Sequence, residues 1–366
     1  MDRELLIGTY TETLPHVDGG AEGILSARFD GERVTQVALA AELRNPSWVT
    51  ASSDGRRVYA VIETAPDGGV AAFSRGADGV LTPLGTASAG GAEPAHLTLD
   101  PSERFLVAGT YGGGSISVFA LADDGALGER VTFVQHDGYG PDPDRQASPH
   151  VHQLSFDPVT GELAAVDLGL GEVRFFVFGD EGELTLRPEA TIIVGAAGPR
   201  HLAFHPDGRH ALLVNELDNT VDVLRRESAR GGIDGAGGQG DRASGGDRFA
   251  IAMGASTRAA DATGDSSAAA VRVSNDGRTV FVTNRGDDTI GVFAFDSGSA
   301  AVELVAAVPA RVRAPRDLVV SPDGARILVA GQNSRDVAVF AFDEDGRTLD
   351  FVSRTPVPTP VCLHFV

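Results

Sequence analysis

One type of segment recurs six times along the chain, and this repeat constrains the fold more than any other feature. The copies are "NPSWVTASSDGRRVYAVIE" (45–63), "EPAHLTLDPSERFLVAGTY" (93–111), "PHVHQLSFDPVTGELAAVD" (149–167), "GPRHLAFHPDGRHALLVNE" (198–216), "SAAAVRVSNDGRTVFVTNR" (267–285) and "APRDLVVSPDGARILVAGQ" (314–332). Each holds an alternating apolar run, a turn of Pro, Asn, Asp or Gly, and a second apolar run, which is the pattern of a β-hairpin. A third apolar segment follows each copy ("GVAAFS", "SISVFAL", "EVRFFVF", "TVDVLRR", "TIGVFAF", "DVAVFAF"), and in most copies a turn then leads to a fourth. The alternation has period two, with no sustained 3.6-residue periodicity, which excludes a helical solenoid.

Four strands per unit of about 45–55 residues predict an all-β fold, a β-propeller of four-stranded antiparallel blades. The N-terminus supplies three further strand-like segments, "LLIGTY", "GILSARFD" and "VTQVALA", and the C-terminus one, "PVCLHFV". A seventh blade built from both termini closes the ring and removes exposed sheet edges. All 366 residues are thereby expected in one propeller domain. The Gly/Ala/Ser/Asp-rich stretch 227–266 reads as a flexible insertion. It must still contain the fourth strand of the fourth blade, expected near "RFAIAMG" (248–254).

Charge and composition exclude several functions. The net charge of −21 argues against nucleic acid, whose phosphates need a basic surface. All 30 basic residues are Arg, so lysine chemistry, including the P-loop lysine and Schiff-base catalysis, is ruled out. The acid excess without lysine fits a saline cytoplasm or, slightly better, a high-GC genome. No apolar run approaches the about 18 residues of a membrane span. The N-terminus enters a strand pattern with no signal-peptide core, and Cys362 has no cysteine to pair with, so a cytoplasmic protein is expected. Neither a membrane nor a nucleic-acid partner is expected, and the chain is read as a monomer or weak homo-oligomer.

Blade geometry says where the polar residues go. A hairpin brings the start of its first strand beside the end of its second, so Arg200 and Glu216 should meet about 25 Å from their turn, at about 3.3 Å per residue. The equivalent first-strand positions are Ser47, Ala95, His152, Arg200, Ala269, Arg316 and Val361. The second-strand ends are Thr9/Tyr10, Ile62/Glu63, Thr110/Tyr111, Asp167/Leu168, Asn215/Glu216, Asn284/Arg285 and Gly331/Gln332. Ionisable and aromatic residues concentrate on the third to fifth blades, with Arg316 and Tyr111 nearby. The opposite rim carries SSDG, DPSE, DPVTG, HPDG, SNDG and SPDG, which is turn chemistry. One rim reads as a site and the other as architecture, with His205 and His210 on the latter expected to be solvated.

Each candidate also has a plain structural reading. His150 and His152 lie two apart and could share a face as metal ligands, but no third and fourth ligand is evident, so no metal is expected. Arg200, Glu216 and Arg285 could be salt bridges between blades. The convergence of a His, two Arg and a Glu on one rim is a better active-site signal than any of them singly. No GxSxG, HExxH, paired CxxC or helix-bound GxGxxG motif is present.

Several stretches together resemble a known family: "LLIGTYT", "NPSWVTASSDGRRVYAV", "SPHVHQLSFDP" followed by "VDLGLGEV", "GPRHLAFHPDGRHALLVNELDNTV" and "VSNDGRTVFVTNRGDDTIGVF". These are similar to the seven-bladed propeller lactonases, which include bacterial 6-phosphogluconolactonases and fungal carboxy-cis,cis-muconate cyclases. The resemblance implies an active-site set of one His, two Arg and one Glu, matched here by His152 (or His150), Arg200, Glu216 and Arg285. Substrate contacts are expected from His150, His201, Tyr111, Asn215, Asn284 and Arg316. The implied activity is hydrolysis of a small anionic sugar lactone, 6-phosphogluconolactone to 6-phosphogluconate, with no cofactor. Glu216 would act on the water as base or orienting group, the arginines would hold anionic oxygens, and His152 would protonate the leaving oxygen. The alternatives are a muconate-type lactonising enzyme and a non-enzymatic ligand-binding propeller.

Overall fold

The computed structural model describes residues 3–228, 246–342 and 348–366. Seven antiparallel sheets form a ring, each with its innermost strand on the central channel. Blade 1 runs through Val49–Ala51, Arg57–Ile62, Gly69–Arg75 and Leu81–Ser88. Blades 2 to 6 have innermost strands Pro94–Leu99, Val151–Phe156, Pro199–Phe204, Ser267–Val273 and Pro315–Val320. Blade 7 pairs Pro360–Phe365 with Arg3–Thr9, then Gly23–Phe29 and Val34–Glu42, so both termini close the ring as expected. No α-helix occurs among the described residues.

The third-strand segments read as continuous apolar runs because blades stack face to face and bury both sides of their middle strands. In Gly69–Arg75, Ser115–Leu121 and Asp336–Phe342 the first five residues are all buried. One apolar cluster fills each of the seven blade-to-blade interfaces; Phe281, Ile290 and Val292 of blade 5, for example, pack with Ile327, Val329 and Phe340 of blade 6.

Two backbone devices shape the channel mouth, and both recur from blade to blade. The first is a left-handed residue just before a proline that opens an inner strand or, in blade 1, lies three residues ahead of it: Asn45 (φ 42), Glu93 (φ 53), Gly198 (φ 66), Ala314 (φ 51) and Thr359 (φ 39). Only one of the five is glycine, so the ring holds costly conformations here, each of about 1–2 kcal/mol. The second is a one-residue bulge immediately afterwards. Pro199 pairs with Asn215 and His201 with Val214, which leaves Arg200 unpaired. The same slip frees Ala95, His152, Arg316 and Val361, and a wider one skips Ala269 and Ala270. A bulge re-aims the side chain of the extra residue, and in five blades it aims one residue at the channel.

The strand expected near 248–254 is observed as Arg248–Ser256, paired with Thr220–Glu227. Of the stretch 227–266 expected as a flexible insertion, residues 229–245 lie outside the described residues, whereas 246–266 include that strand and a loop fixed by Arg258 Nε on Asp287 (2.6 Å). His205 and His210 are also not solvated; they are 5 % and 3 % exposed. His205 Nε2 donates to the Gly277 carbonyl (2.7 Å) while its Nδ1 accepts from the Asp207 N–H (3.1 Å), and His210 Nδ1 meets Asp207 Oδ2 (2.8 Å). They brace the turn of blade 4 against that of blade 5.

Candidate active site

The bulged residues form the inner of two rings around one channel mouth. The outer ring comes from the ends of the second strands, where Glu63, Tyr111, Leu168, Glu216 and Gln332 donate backbone N–H groups to the carbonyls of Asn45, Glu93, His150, Gly198 and Ala314. The rings enclose a cavity of about 990 Å³, lined by Glu63, Tyr111, Arg145, His152, Glu216, Arg285, Arg316 and Gln332 among others. A chamber of about 20 Å³ lies deeper and touches Ser47, Glu63, His152, Arg200, His201 and Arg316.

Glu216 is the hub of one wall. Arg200 Nε (3.0 Å) and an Arg285 terminal nitrogen (2.9 Å) meet its Oε2, and Arg145 meets its Oε1 (2.7 Å). Burial alone would raise the Glu216 pKa, but Arg285, Arg200 and Arg145 reverse it and hold the carboxyl well below its usual range. Arg200 is 2 % exposed and also donates to the Ala269 carbonyl (2.7 Å). Burial, Arg285 and Arg316 push its guanidinium down to about 9, so it stays protonated at neutral pH.

The histidines behave differently from the sequence expectation. His152 is buried, and desolvation reinforced by Arg200 holds it well below the ordinary histidine range. It is therefore neutral and offers no imidazolium proton to a leaving group. Its Nδ1 is buried without a partner among the described residues. His201 and His96 share that state, with burial as the leading cause, and pack with Trp48 further down the channel (ring centroids 4.1 Å from His96 and 5.7 Å from His201). His150 lies flat on Tyr111 (centroids 4.3 Å, 10° between planes) and donates Nδ1–H to the Tyr111 carbonyl (2.7 Å). It is outside the cavity lining, which includes His152, and it supports Tyr111.

Two further expected contacts turn away from the cavity. Asn215 donates to Thr220 Oγ1 and Asp222 Oδ2, and Asn284 is held by Thr257 and Thr289, because side chains alternate across a strand and theirs face into the blade. His201 borders only the deep chamber. Arg316 does line the cavity, with Nη1 on Gln332 Oε1 (3.1 Å), Nη2 on the Tyr10 hydroxyl (3.2 Å), and no carboxylate within ion-pair distance among the described residues.

Sequence reasoning passed over Arg145 and the group around Glu63. Arg145 comes from the loop between blades 2 and 3, which has no repeat position to flag it. Glu63 occupies in blade 1 the position that Glu216 occupies in blade 4, and this equivalence was the available signal. Tyr10 donates to its Oε1 (2.8 Å) and the Ser47 hydroxyl to its Oε2.

Comparison with known proteins agrees with this architecture. The sequence model described as "Lactonase, 7-bladed beta-propeller" matches residues 4–365. The 6-phosphogluconolactonase of Bacillus subtilis is 33 % identical over 86 % of this chain and 83 % of its own. A crystal structure of a Lactobacillus plantarum protein superposes with a TM-score of 0.88 at 29 % identity, covering 100 % of both chains. The structure of the Pseudomonas aeruginosa periplasmic gluconolactonase gives 0.87 at 29 % identity, covering 100 % of this chain and 99 % of that one.

Proposed function

Because the chain belongs to the seven-bladed β-propeller lactonase family, we propose that it hydrolyses a sugar lactone and that 6-phosphogluconolactone is the substrate. The observation that carries this reading is the charge at the cavity floor. Three guanidiniums (Arg145, Arg200 and Arg285) converge on the single carboxylate of Glu216, and Arg316 joins them with no carboxylate of its own among the described residues, while Glu12, Glu63, Glu93, Asp265 and Arg44 complete the charged lining. Such a floor favours an oxyanion forming at the lactone carbonyl and an anionic group on the sugar.

Within this reading the arginines divide their work. Arg285 and Arg200 are fixed by Glu216 and are pre-oriented to receive the oxyanion, which removes reorganisation from the reaction step. Arg316 has no carboxylate to satisfy and is suited to the phosphate through its planar fork. Neutral His152 is suited to donate or accept a hydrogen bond at the ring oxygen. The relatives named for gluconolactone hydrolysis favour hydrolysis over lactonisation. For location, Cys362 is free and buried, which supports a reducing cytoplasm, whereas the Pseudomonas relative is periplasmic.

Hydrolysis releases acid, so a pH-stat assay tests the proposal directly. Turnover of 6-phosphoglucono-δ-lactone at about tenfold or more the kcat/KM of gluconolactone is the expected result, a margin of about 1.4 kcal/mol. Failure to turn over either lactone would overturn it.

A further inference from the structure

We propose that Glu63, on the wall opposite the three-arginine cluster, is the general base of the reaction and that it deprotonates a water seated in the chamber beneath the cavity floor. The inference rests on the lactonase reading and assigns the step that reading leaves without an agent.

Glu216 is the obvious carboxylate, but its oxygens are occupied. Three guanidiniums cover both of them, so accepting a proton there would break charged hydrogen bonds in a buried site. Glu63 has the same backbone position and the opposite surroundings. Its two oxygens accept neutral hydroxyl donors, from Tyr10 and Ser47, and no guanidinium lies within ion-pair distance among the described residues. Burial pushes its pKa up, although Arg316, Ser47 and Tyr10 oppose the shift, which makes it the more basic carboxylate of the pair.

The chamber gives the water a place. About 20 Å³ exceeds the roughly 10–15 Å³ that one water needs, and a buried water also needs two to four polar partners. Glu63, Ser47, His152 and Arg316 all border the chamber, and His152 Nδ1 is buried without a partner among the described residues. Glu63 borders both the chamber and the large cavity, so it stands between water and substrate.

The chemistry balances with these groups alone. As the water oxygen bonds to the lactone carbonyl carbon, one water proton passes to the Glu63 carboxylate and the carbonyl electron pair moves onto oxygen. When the intermediate collapses, the ring C–O bond breaks, its electron pair leaves with the ring oxygen, and Glu63 returns the proton there. The product is the open hydroxy acid, which then ionises. A raised pKa serves both halves, because the same group must first accept and then release the proton.

The test compares pH profiles of kcat/KM for wild type, Glu63→Gln and Tyr10→Phe on the phosphorylated lactone, with folding checked by circular dichroism. Wild type should show an acidic limb above the ordinary glutamate value of about 4.3. Glu63→Gln should lose about 10²–10⁴-fold in kcat, with KM little changed and the limb abolished. Tyr10→Phe removes a hydrogen bond that favours the carboxylate, so its limb should move to higher pH, a shift that mere loosening of the fold would not produce. A Glu63→Gln enzyme within about threefold of wild-type kcat, or one that keeps the limb, overturns the inference and leaves the lactonase reading standing. If Glu63→Gln does not fold, an unmoved limb in Tyr10→Phe overturns it instead. A wild type that hydrolyses no lactone overturns both.

Discussion

The two rims of this propeller carry similar residues and use them in opposite ways. On the turn rim three aspartates are satisfied close by, since Asp54, Asp276 and Asp323 each take a serine hydroxyl and a backbone N–H two residues away, and Asp157 and Glu103 each pair with one arginine of a neighbouring blade, Arg226 and Arg57. On the cavity rim Glu216 draws Arg200 from 16 residues and Arg145 from 71 residues away, and Glu63 reaches Tyr10 across 53. A locally closed carboxylate stabilises a turn and has nothing left for a ligand. A carboxylate held by distant partners exists only in the folded ring, and around Glu216 it leaves guanidinium charge in excess. Unmatched guanidinium charge, more than range of pairing, separates site from architecture.

That contrast breaks first, if it is wrong, on Arg285. The Arg285→Ala variant should lose about 10²–10³-fold in kcat, the usual cost of removing a donor to a developing oxyanion, as measured by pH-stat on the lactone. Retention of wild-type kcat would mean that the long-range cluster is only a blade tie. Next in size is the energetic side of the same cluster. Glu216→Ala leaves three guanidiniums facing one another, two of them little exposed, and should cost about 3–5 kcal/mol in urea denaturation. A loss below about 1 kcal/mol would show that solvent screens the cluster as it does a surface pair.

How much of this was legible in the sequence depends on range. Blade number, strand order and the termini-built blade were readable because the hairpin repeat is local and period-two patterning survives in every copy. The rim positions were readable too, since counting residues from a turn fixes them. What counting missed is the bulge. Arg200, His152 and Arg316 face the channel through a one-residue slip in pairing, and Asn215 and Asn284 face away through ordinary strand alternation. Neighbours in sequence therefore separated into site and scaffold. Glu63 was on the rim but looked isolated, because Tyr10 belongs to the blade that closes the ring and Ser47 lies just ahead of the inner strand of blade 1.

The channel beneath the site sharpens the comparison through pH. His96, His152 and His201 are held neutral, mainly by burial, with pKa values well below the ordinary 6.5 or so. The unfolded chain therefore binds protons that the native state refuses, and stability should fall as pH drops below about 6.5 and go on falling until the folded pKa values are reached. Each histidine contributes up to about 1.4 kcal/mol per pH unit in that window. Urea midpoints at pH 7.5 and 5.5 measure the slope, and His96→Phe should reduce it by about one proton's worth. An unchanged slope would mean that His96 is protonated in the native channel.

The smallest effect is expected on the turn rim, and it is the cleanest control. Asp207 takes the backbone N–H groups of Arg209 (2.7 Å) and His210 (3.1 Å) and meets the ring of His210. Its pKa is about 2: partial burial would raise it, but the hydrogen bonds from His210 and the Arg209 N–H outweigh that. Asp207→Ala removes these bonds and the contact of Oδ1 with His205 Nδ1 (3.0 Å), all within three residues, so it should cost about 1–2 kcal/mol, as loss of a capping carboxylate does. That contribution depends on the ionised carboxylate, so in wild type it is present above the unfolded pKa of about 3.9 and fades as pH falls toward 2. The lactone assay at neutral pH should show no change in kcat or KM, because nothing Asp207 holds reaches the opposite rim. A tenfold fall in kcat in a folded Asp207→Ala protein would mean that the two ends of blade 4 are coupled along its strands, and the division between the rims would fail.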